Sequence, residues 1–176
     1  MTSKLWVFRD IDPDRRTALA RALSISPATA SLLLARGVTT PDEATAWMAP
    51  LRAHDPFLIP DIETAIDRLH YAVQHRERVC FYGDYDVDGA CSTALLAEGL
   101  SATGLVCRTH IPDRLTEGYG PNTEALQGLI AQGAGLIVTV DCGVTSHEVI
   151  TTIAGSGTDV LVLDHHQAPE ILPPAY

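Results

Sequence analysis

The stretch VCFYGDYDVDGACSTA, residues Val79 to Ala94, decides the fold. Its first four residues read as a buried strand, and they run straight into Asp84, Asp86 and Asp88, with no Lys or Arg following until Arg108. Two unit charges ~4 Å apart repel by about 1 kcal/mol in water and ~4 kcal/mol at an effective dielectric near 20. A chain that ends a strand on three carboxylates therefore requires something to compensate them.

From Val79 onward strand and helix alternate. VCFY, LVCRTHI, GLIVTV and DVLVL read as strands, and ALLAEGL, NTEALQGLIAQG and HEVITTIAGSG as helices, the second capped by Asn122 or Thr123. Short apolar strands alternating with helices predict an α/β fold: a parallel, Rossmann-like sheet flanked by helices on both faces. A short helical segment is expected before it. Ser26-Pro27 opens a helix that Gly37 closes, and Thr40-Pro41-Asp42-Glu43 fits a capping box. HDPFLIPD, residues 54–61, reads as a connector, and Ile62, Ile66, Leu69 and Val73 form an apolar stripe at helical spacing. The expected organisation is a helical N-terminal segment over 1–60 and an α/β domain over 61–176.

Each acidic or histidine cluster lies just past a strand's C-terminal end. Asp84, Asp86 and Asp88 follow VCFY, Asp141 follows GLIVTV, and Asp164-His165-His166 follow DVLVL. In a parallel sheet these ends share one edge, where ligands bind, so residues some eighty apart in sequence converge there. Aspartates with imidazole suit a hard or borderline divalent cation such as Mn²⁺ or Mg²⁺, whereas structural zinc favours thiolates. A bridging carboxylate such as Asp141 can hold two ions ~3.5 to 4 Å apart, the arrangement used to displace oxygen at phosphorus. Hydrolysis of a phosphate ester is the chemistry expected.

Rival readings fail on the sequence. DYDVDG opens like a calcium-binding EF-hand loop, but the twelfth position, which needs Glu, is Leu95. A haloacid-dehalogenase-type phosphatase also places Asp-x-Asp after a first strand but needs a downstream Lys, and the one Lys in this chain is Lys4. No G-K-[ST] of a phosphate-binding loop is present. Asp88 taken singly fits a cap for a helix beginning near Gly89, Cys142 reads as a small buried neighbour of Asp141, and His54, His70, His75, His110 and His147 stand alone with no assigned role.

The bulk composition is that of a globular protein: 176 residues, 46% hydrophobic and 19% charged. MTSKLWVFRDIDPDRR lacks the apolar run of a signal peptide, and no later run approaches the ~20 residues that span a bilayer, so a soluble cytoplasmic protein without membrane partners is expected. Cys80, Cys91, Cys107 and Cys142 form no CxxC pair, which points to reduced thiols. The net charge of −10 is unevenly spread: residues 79–176 hold two Arg, Arg108 and Arg114, against twelve acids. Binding of nucleic acid by a basic patch has no support in that half, so a phosphate ligand there calls for metal cations or further chain.

GDYDVDGACSTALL, IPDRLTEGYG, TVDCGV and DHH, in this order, resemble the DHH phosphoesterase superfamily, and within it the RecJ-like single-strand-specific DNA exonucleases. LLLARGVTTPDEATAWMAP and HDPFLIPDIETAIDRL are similar to the segment that precedes the catalytic motifs in that group. The resemblance implies that Asp86, Asp88, Asp141 and His165 are metal ligands, with Asp141 bridging, and that Asp84 organises the loop. It implies that His166 contacts the scissile phosphate or supports the site, with Asp164 orienting its histidine neighbours. It further implies that Arg114 contacts substrate phosphate, with Gly118 and Gly120 permitting close backbone approach. Two Mn²⁺ or Mg²⁺ ions and single-stranded DNA, degraded from its 5′ end, are the implied cofactors and substrate.

Two departures accompany the resemblance. Related pyrophosphatases of the superfamily carry a metal-binding His where this chain has Tyr82, which shifts the expected substrate away from pyrophosphate. The chain ends at PEILPPAY, ten residues after His166, whereas the family supplies another metal-binding Asp downstream and a second domain. It is therefore expected to be an incomplete fragment, nearly inactive alone. The alternatives are a DHH phosphodiesterase acting on oligoribonucleotides or cyclic dinucleotides, and a non-catalytic DHH-like scaffold.

Overall fold

The structure, a computed structural model, describes residues 9–49 and 53–176; residues 1–8, which include Lys4 and half of the stretch read for targeting signals, and residues 50–52 lie outside the described residues. Among the described residues no single helix is long and apolar enough to cross a membrane. The chain divides into two compact units, Met1–His54 and Asp55–Tyr176.

In the first unit three helices, α1 (Pro13–Leu23), α2 (Pro27–Ala35) and α3 (Pro41–Met48), each begin with proline behind a capping side chain. Proline has no N–H to lose at that position and its fixed φ suits the helix. Asp12 accepts the Asp14 amide at 2.8 Å, Ser26 accepts the Thr29 amide at 3.0 Å, and Thr40 with Glu43 forms the reciprocal box expected from the sequence. Gly37, at φ 82°, turns the chain out of α2. Leu19, Ala20, Ala30, Leu33, Val38 and Ala44 form the small core of this unit.

The second unit opens with a single 3₁₀ turn, Pro56–Leu58, and then α4 (Ile62–His75). Four strands follow, β1 (Arg78–Gly83), β2 (Val106–His110), β3 (Leu136–Val140) and β4 (Asp159–Leu163), with α5 (Val87–Ser101), α6 (Thr123–Ala131) and α7 (His147–Ile153) between them. All strand pairs are parallel and the order is β2-β1-β3-β4. Period-two alternation divides the core. Cys80, Tyr82, Ile137 and Val160 face Leu126 and Leu129 of α6 and Ile150 and Ile153 of α7. Val79, Phe81, Leu136, Val138, Val140 and Leu161 face the other way, onto Ala72 of α4 and Leu96 and Leu100 of α5. This is the doubly covered parallel sheet that the sequence predicts.

The stripe on α4 is differently composed from the expectation. All four of its residues are half-buried, Leu69 and Val73 packing against the sheet, and the buried positions are Ala72 and Arg68. Arg68 reaches the N-terminal edge of the sheet, where Nη1 lies 2.8 Å from Glu77 Oε2 and Nε lies 2.7 Å from Asp159 Oδ2. Burial opposes its charge, but these two carboxylates outweigh burial and raise its pKa. Helical periodicity could not identify a charged residue as core; only its distant partners explain the burial.

Candidate metal centre

The register of the sheet builds the site. Gly83 pairs with Val140, and Val140 with Leu163, so the residues one step on, Asp84, Asp141 and Asp164, emerge side by side. The chain leaves β1 toward β2 on one side and returns to β3 on the other, so β1 and β3 flank the topological switch point where parallel sheets open a crevice.

At the end of β1, strand and helix are pressed together. A Cβ on Gly89 would stand 2.6 Å from the Asp84 amide nitrogen and 2.7 Å from its Cα, so no larger residue fits without displacing backbone. The helix after it begins at Val87, and its cap is Asp86, whose Oδ1 accepts the Asp88 amide at 2.9 Å and the Gly89 amide at 3.0 Å. Asp88 thus stands in the first turn rather than at the cap. Asp84 is 4% exposed and accepts the Tyr85 amide at 2.7 Å.

At the end of β3, Asp141 adopts the left-handed conformation, φ 61°, while its amide donates to the Leu163 carbonyl at 2.8 Å. A non-glycine residue held there is uncommon, and unlike Ser24, Asp61 and Arg76, which take this conformation at helix ends, Asp141 takes it directly after a strand. Asp141 is 6% exposed, and its Oδ1 lies 2.9 Å from His165 Nε2. Burial, and then the negative charge of Asp88, push its pKa up against the opposing His165 hydrogen bond. Cys142 is buried, and burial pushes its thiol up to about 12, which makes it inert packing.

After β4, Asp164 turns inward. Its Oδ2 accepts the Val144 amide at 3.0 Å, and its Oδ1 accepts the His166 amide at 3.1 Å and lies 2.7 Å from His166 Nδ1. Burial acts to raise its pKa, but these hydrogen bonds outweigh it and hold the carboxyl below its ordinary range. The bond to Asp164 in turn raises the pKa of His166. Asp164 thus holds one histidine, and Asp141 the other.

Two donor sets result. Asp84, Asp86 and Asp141 each offer an oxygen within 4.8 Å of the others, and Asp141, His165 and His166 offer a second such set. Asp141 belongs to both. Asp88 stands beside them, its Oδ2 3.7 Å from His165 Nε2. Carboxylate oxygens and imidazole nitrogens fit hard or borderline divalent ions, and a cation between them would offset the burial and the Asp88 charge that raise the Asp141 pKa. Asp84, expected from the sequence to organise the loop, accepts the Tyr85 amide and also joins the first donor set. The pairing of Gly83 with Val140 accounts for this, and strand register is not legible in one segment alone.

Residues 78–176 match the DHH family, N-terminal domain. This chain belongs to the DHH family. It is 35% identical over 176 residues to the single-stranded-DNA-specific exonuclease RecJ of Bacillus subtilis, covering 98% of this chain and 22% of that protein. It is 33% identical over 153 residues to RecJ of Thermus thermophilus, covering 87% of this chain and again 22% of the relative. The chain therefore spans about a fifth of the length of these curated relatives. Among solved structures it resembles exonuclease RecJ bound to manganese, with TM-score 0.64 and 35% identity over 72% of this chain and 32% of that one. The structure of Thermus thermophilus RecJ in complex with Mn²⁺ gives TM-score 0.61 and 28% identity over 94% of this chain and 23% of that one.

The loop after β2 brings further residues toward this DHH-type cluster. The Arg114 guanidinium lies 5.1 Å over the Tyr85 ring, Tyr85 meets Tyr119 edge-on at 6.4 Å, and the Tyr119 hydroxyl lies 3.5 Å from His166 Nδ1. Burial, and then Asp164, push the Tyr119 phenol up to about 12, so it stays protonated. Gly118 and Gly120 take φ of 81° and 77°. A Cβ on Gly118 would meet nothing within 4 Å, so turn geometry, rather than crowding within the chain, explains that glycine. Tyr82 is fully buried, and its hydroxyl donates to the Gly120 carbonyl at 3.0 Å. Tyr82 therefore anchors the loop to β1.

Proposed function

We propose that this chain is the metal-binding N-terminal part of a RecJ-like exonuclease, which hydrolyses single-stranded DNA from its 5′ end to mononucleotides in DNA repair and recombination in the cytoplasm. In this reading residues 61–176 form the catalytic domain and residues 1–60 a helical segment preceding it. The observation that carries the reading is the sharing of buried, left-handed Asp141 by two donor sets at the switch point of the sheet. The relatives named as single-stranded-DNA-specific exonucleases, and the manganese-bound RecJ structures, support it.

Asp84, Asp86, Asp88, Asp141 and His165 would hold two Mn²⁺ or Mg²⁺ ions. When bound, the ions supply Lewis acidity that lowers the pKa of water and neutralises charge at phosphorus. The chain's own residues do the rest. Asp164 fixes His166 with Nδ1 occupied, which leaves Nε2 to face the phosphate, and Arg114 offers a planar cation to a phosphate oxygen. With sixteen acids against five Arg in residues 61–176, the domain recruits a polyanion only after cations have filled the cluster.

Calorimetric titration with Mn²⁺ tests the reading. The wild-type chain is expected to bind two ions and Asp141→Asn neither. 5′-Labelled single-stranded DNA should release mononucleotides with the longest natural protein that contains these residues, whereas the 176 residues alone, about a fifth of the relatives' length, should be nearly inactive. A chain without a Mn²⁺ site at millimolar or better affinity would favour the scaffold reading instead.

A further inference from the structure

Glu117 lies outside both donor sets, yet its carboxylate is held at both oxygens. Oε1 accepts the Asp113 amide at 2.9 Å, and Oε2 lies 2.9 Å from Nε2 of His110, the last residue of β2. The Glu117 amide returns the contact by donating to the Asp113 carbonyl at 2.8 Å. Between them, Asp113 Oδ1 accepts the amides of Leu115 and Thr116 at 2.9 and 3.0 Å and the Thr116 hydroxyl at 3.0 Å. The result is a closed turn with Arg114 and Leu115 at its apex and Leu115 94% exposed. The apex buries nothing that would account for so many bonds.

What the anchoring delivers is position. His110 sits in register with Tyr82 of β1, their rings 5.0 Å apart, and Tyr82 itself holds the far end of the loop at Gly120. The turn is thus tied to the sheet at both ends, and Arg114 is set over Tyr85 with Tyr119 beside His166. Arg108, the other cation in residues 79–176, is engaged with Gln132 at 3.2 Å. A guanidinium on a slack loop beside Asp84, Asp86 and Asp88 would be drawn onto them by the attraction of opposite charges.

We propose that Glu117 is a positioning residue: clamped between His110 and the Asp113 amide, it holds Arg114 stacked on Tyr85 and away from the acidic cluster. The use of Arg114 on a DNA phosphate rests on the function proposed above; the placement of Arg114 does not.

Two readouts keep these apart. In the chain without ligand, the Arg114 Nε proton is expected to show a ring-current shift from Tyr85 by NMR. Glu117→Ala should abolish that shift and speed exchange of the Asp113 amide, and Glu117→Gln, which retains an acceptor for that amide, should restore both. His110→Phe, which keeps a ring against Tyr82 but removes the N–H, should displace the Arg114 signal in the same sense, and it decides the matter if Glu117→Ala fails to fold. In the second arm, a 5′-phosphorylated phosphorothioate oligothymidylate is titrated in the presence of Mn²⁺. Glu117→Ala and Arg114→Ala should each weaken binding about tenfold, and the double variant no further. An unchanged Arg114 signal in Glu117→Ala or His110→Phe, or additive losses in the double variant, overturns the proposal. Failure of wild type to bind the oligonucleotide overturns the DNA reading alone, with the NMR arm still deciding Glu117.

Discussion

Asp86 meets two demands with one carboxylate. Its Oδ1 is committed to the amides that start α5, while the group also stands within 4.8 Å of Asp84 and Asp141. Substitutions separate the two. Asp86→Asn keeps a competent cap and should leave the urea midpoint within a few tenths of a molar while weakening Mn²⁺ binding at least tenfold. Asp86→Ala should lose the metal and also about 1 kcal/mol of stability. Equal midpoints for the two variants would show that the cap contributes nothing. Gly89 is constrained by contact rather than by φ: Gly89→Ala drives a methyl into the Asp84 backbone and should cost about 1–3 kcal/mol, with Mn²⁺ affinity falling as Asp84 moves. The acidic residues were visible in the sequence. That Asp86 is the cap, and Asp88 merely the second residue of the helix, was not, because a capping role depends on which φ/ψ the chain adopts after the strand.

At the level of elements, the 113–117 turn responds to acid in a definite direction. The Asp113 amide, ahead of His110, holds the Glu117 carboxyl below its ordinary 4.5, and the Thr116 amide and hydroxyl with the Leu115 amide hold Asp113 below its ordinary 3.8. A carboxyl whose folded pKa is depressed contributes stability that is present above its unfolded pKa and is lost as the pH falls through the folded value. Amide protection factors at Asp113, Leu115 and Thr116 should therefore hold steady from neutrality down to the ordinary carboxyl range and decline below it, before β3 amides respond. Protection in the turn that holds until the β3 amides lose theirs would refute the linkage. Sequence reading located IPDRLTEGYG as a motif with a useful Arg, but not Glu117 or Tyr82 as its anchors. Their partners, His110 and the Gly120 carbonyl, are brought to them by strand pairing and by the return of the loop over the sheet.

For the whole molecule, the two edges of the sheet separate stability from chemistry. At the N-terminal edge, Arg68 ties α4 to Glu77 and Asp159; both carboxylates retain some solvent, so Arg68→Ala should cost only about 2 kcal/mol and leave Mn²⁺ affinity unchanged. At the C-terminal edge, Mn²⁺ binding to the folded state alone should stabilise it by about 2.7 kcal/mol per ion at a hundredfold excess over Kd, seen as a rise in Tm that EDTA reverses. A Tm indifferent to Mn²⁺ would remove the acidic edge from the account of metal binding. The sequence by itself determined the alternation of strand and helix, the parallel sheet, the capped proline starts of α2 and α3, and the clustering of acids past strand ends, because each follows from local periodicity and short-range hydrogen bonding. Tertiary structure alone decided that Gly83, Val140 and Leu163 lie abreast, that Asp84 joins Asp141, that Asp164 takes His166 and leaves His165 to Asp141, and that Arg68 is core. These depend on register and on pairings between residues distant in the chain, for which no single segment carries the information.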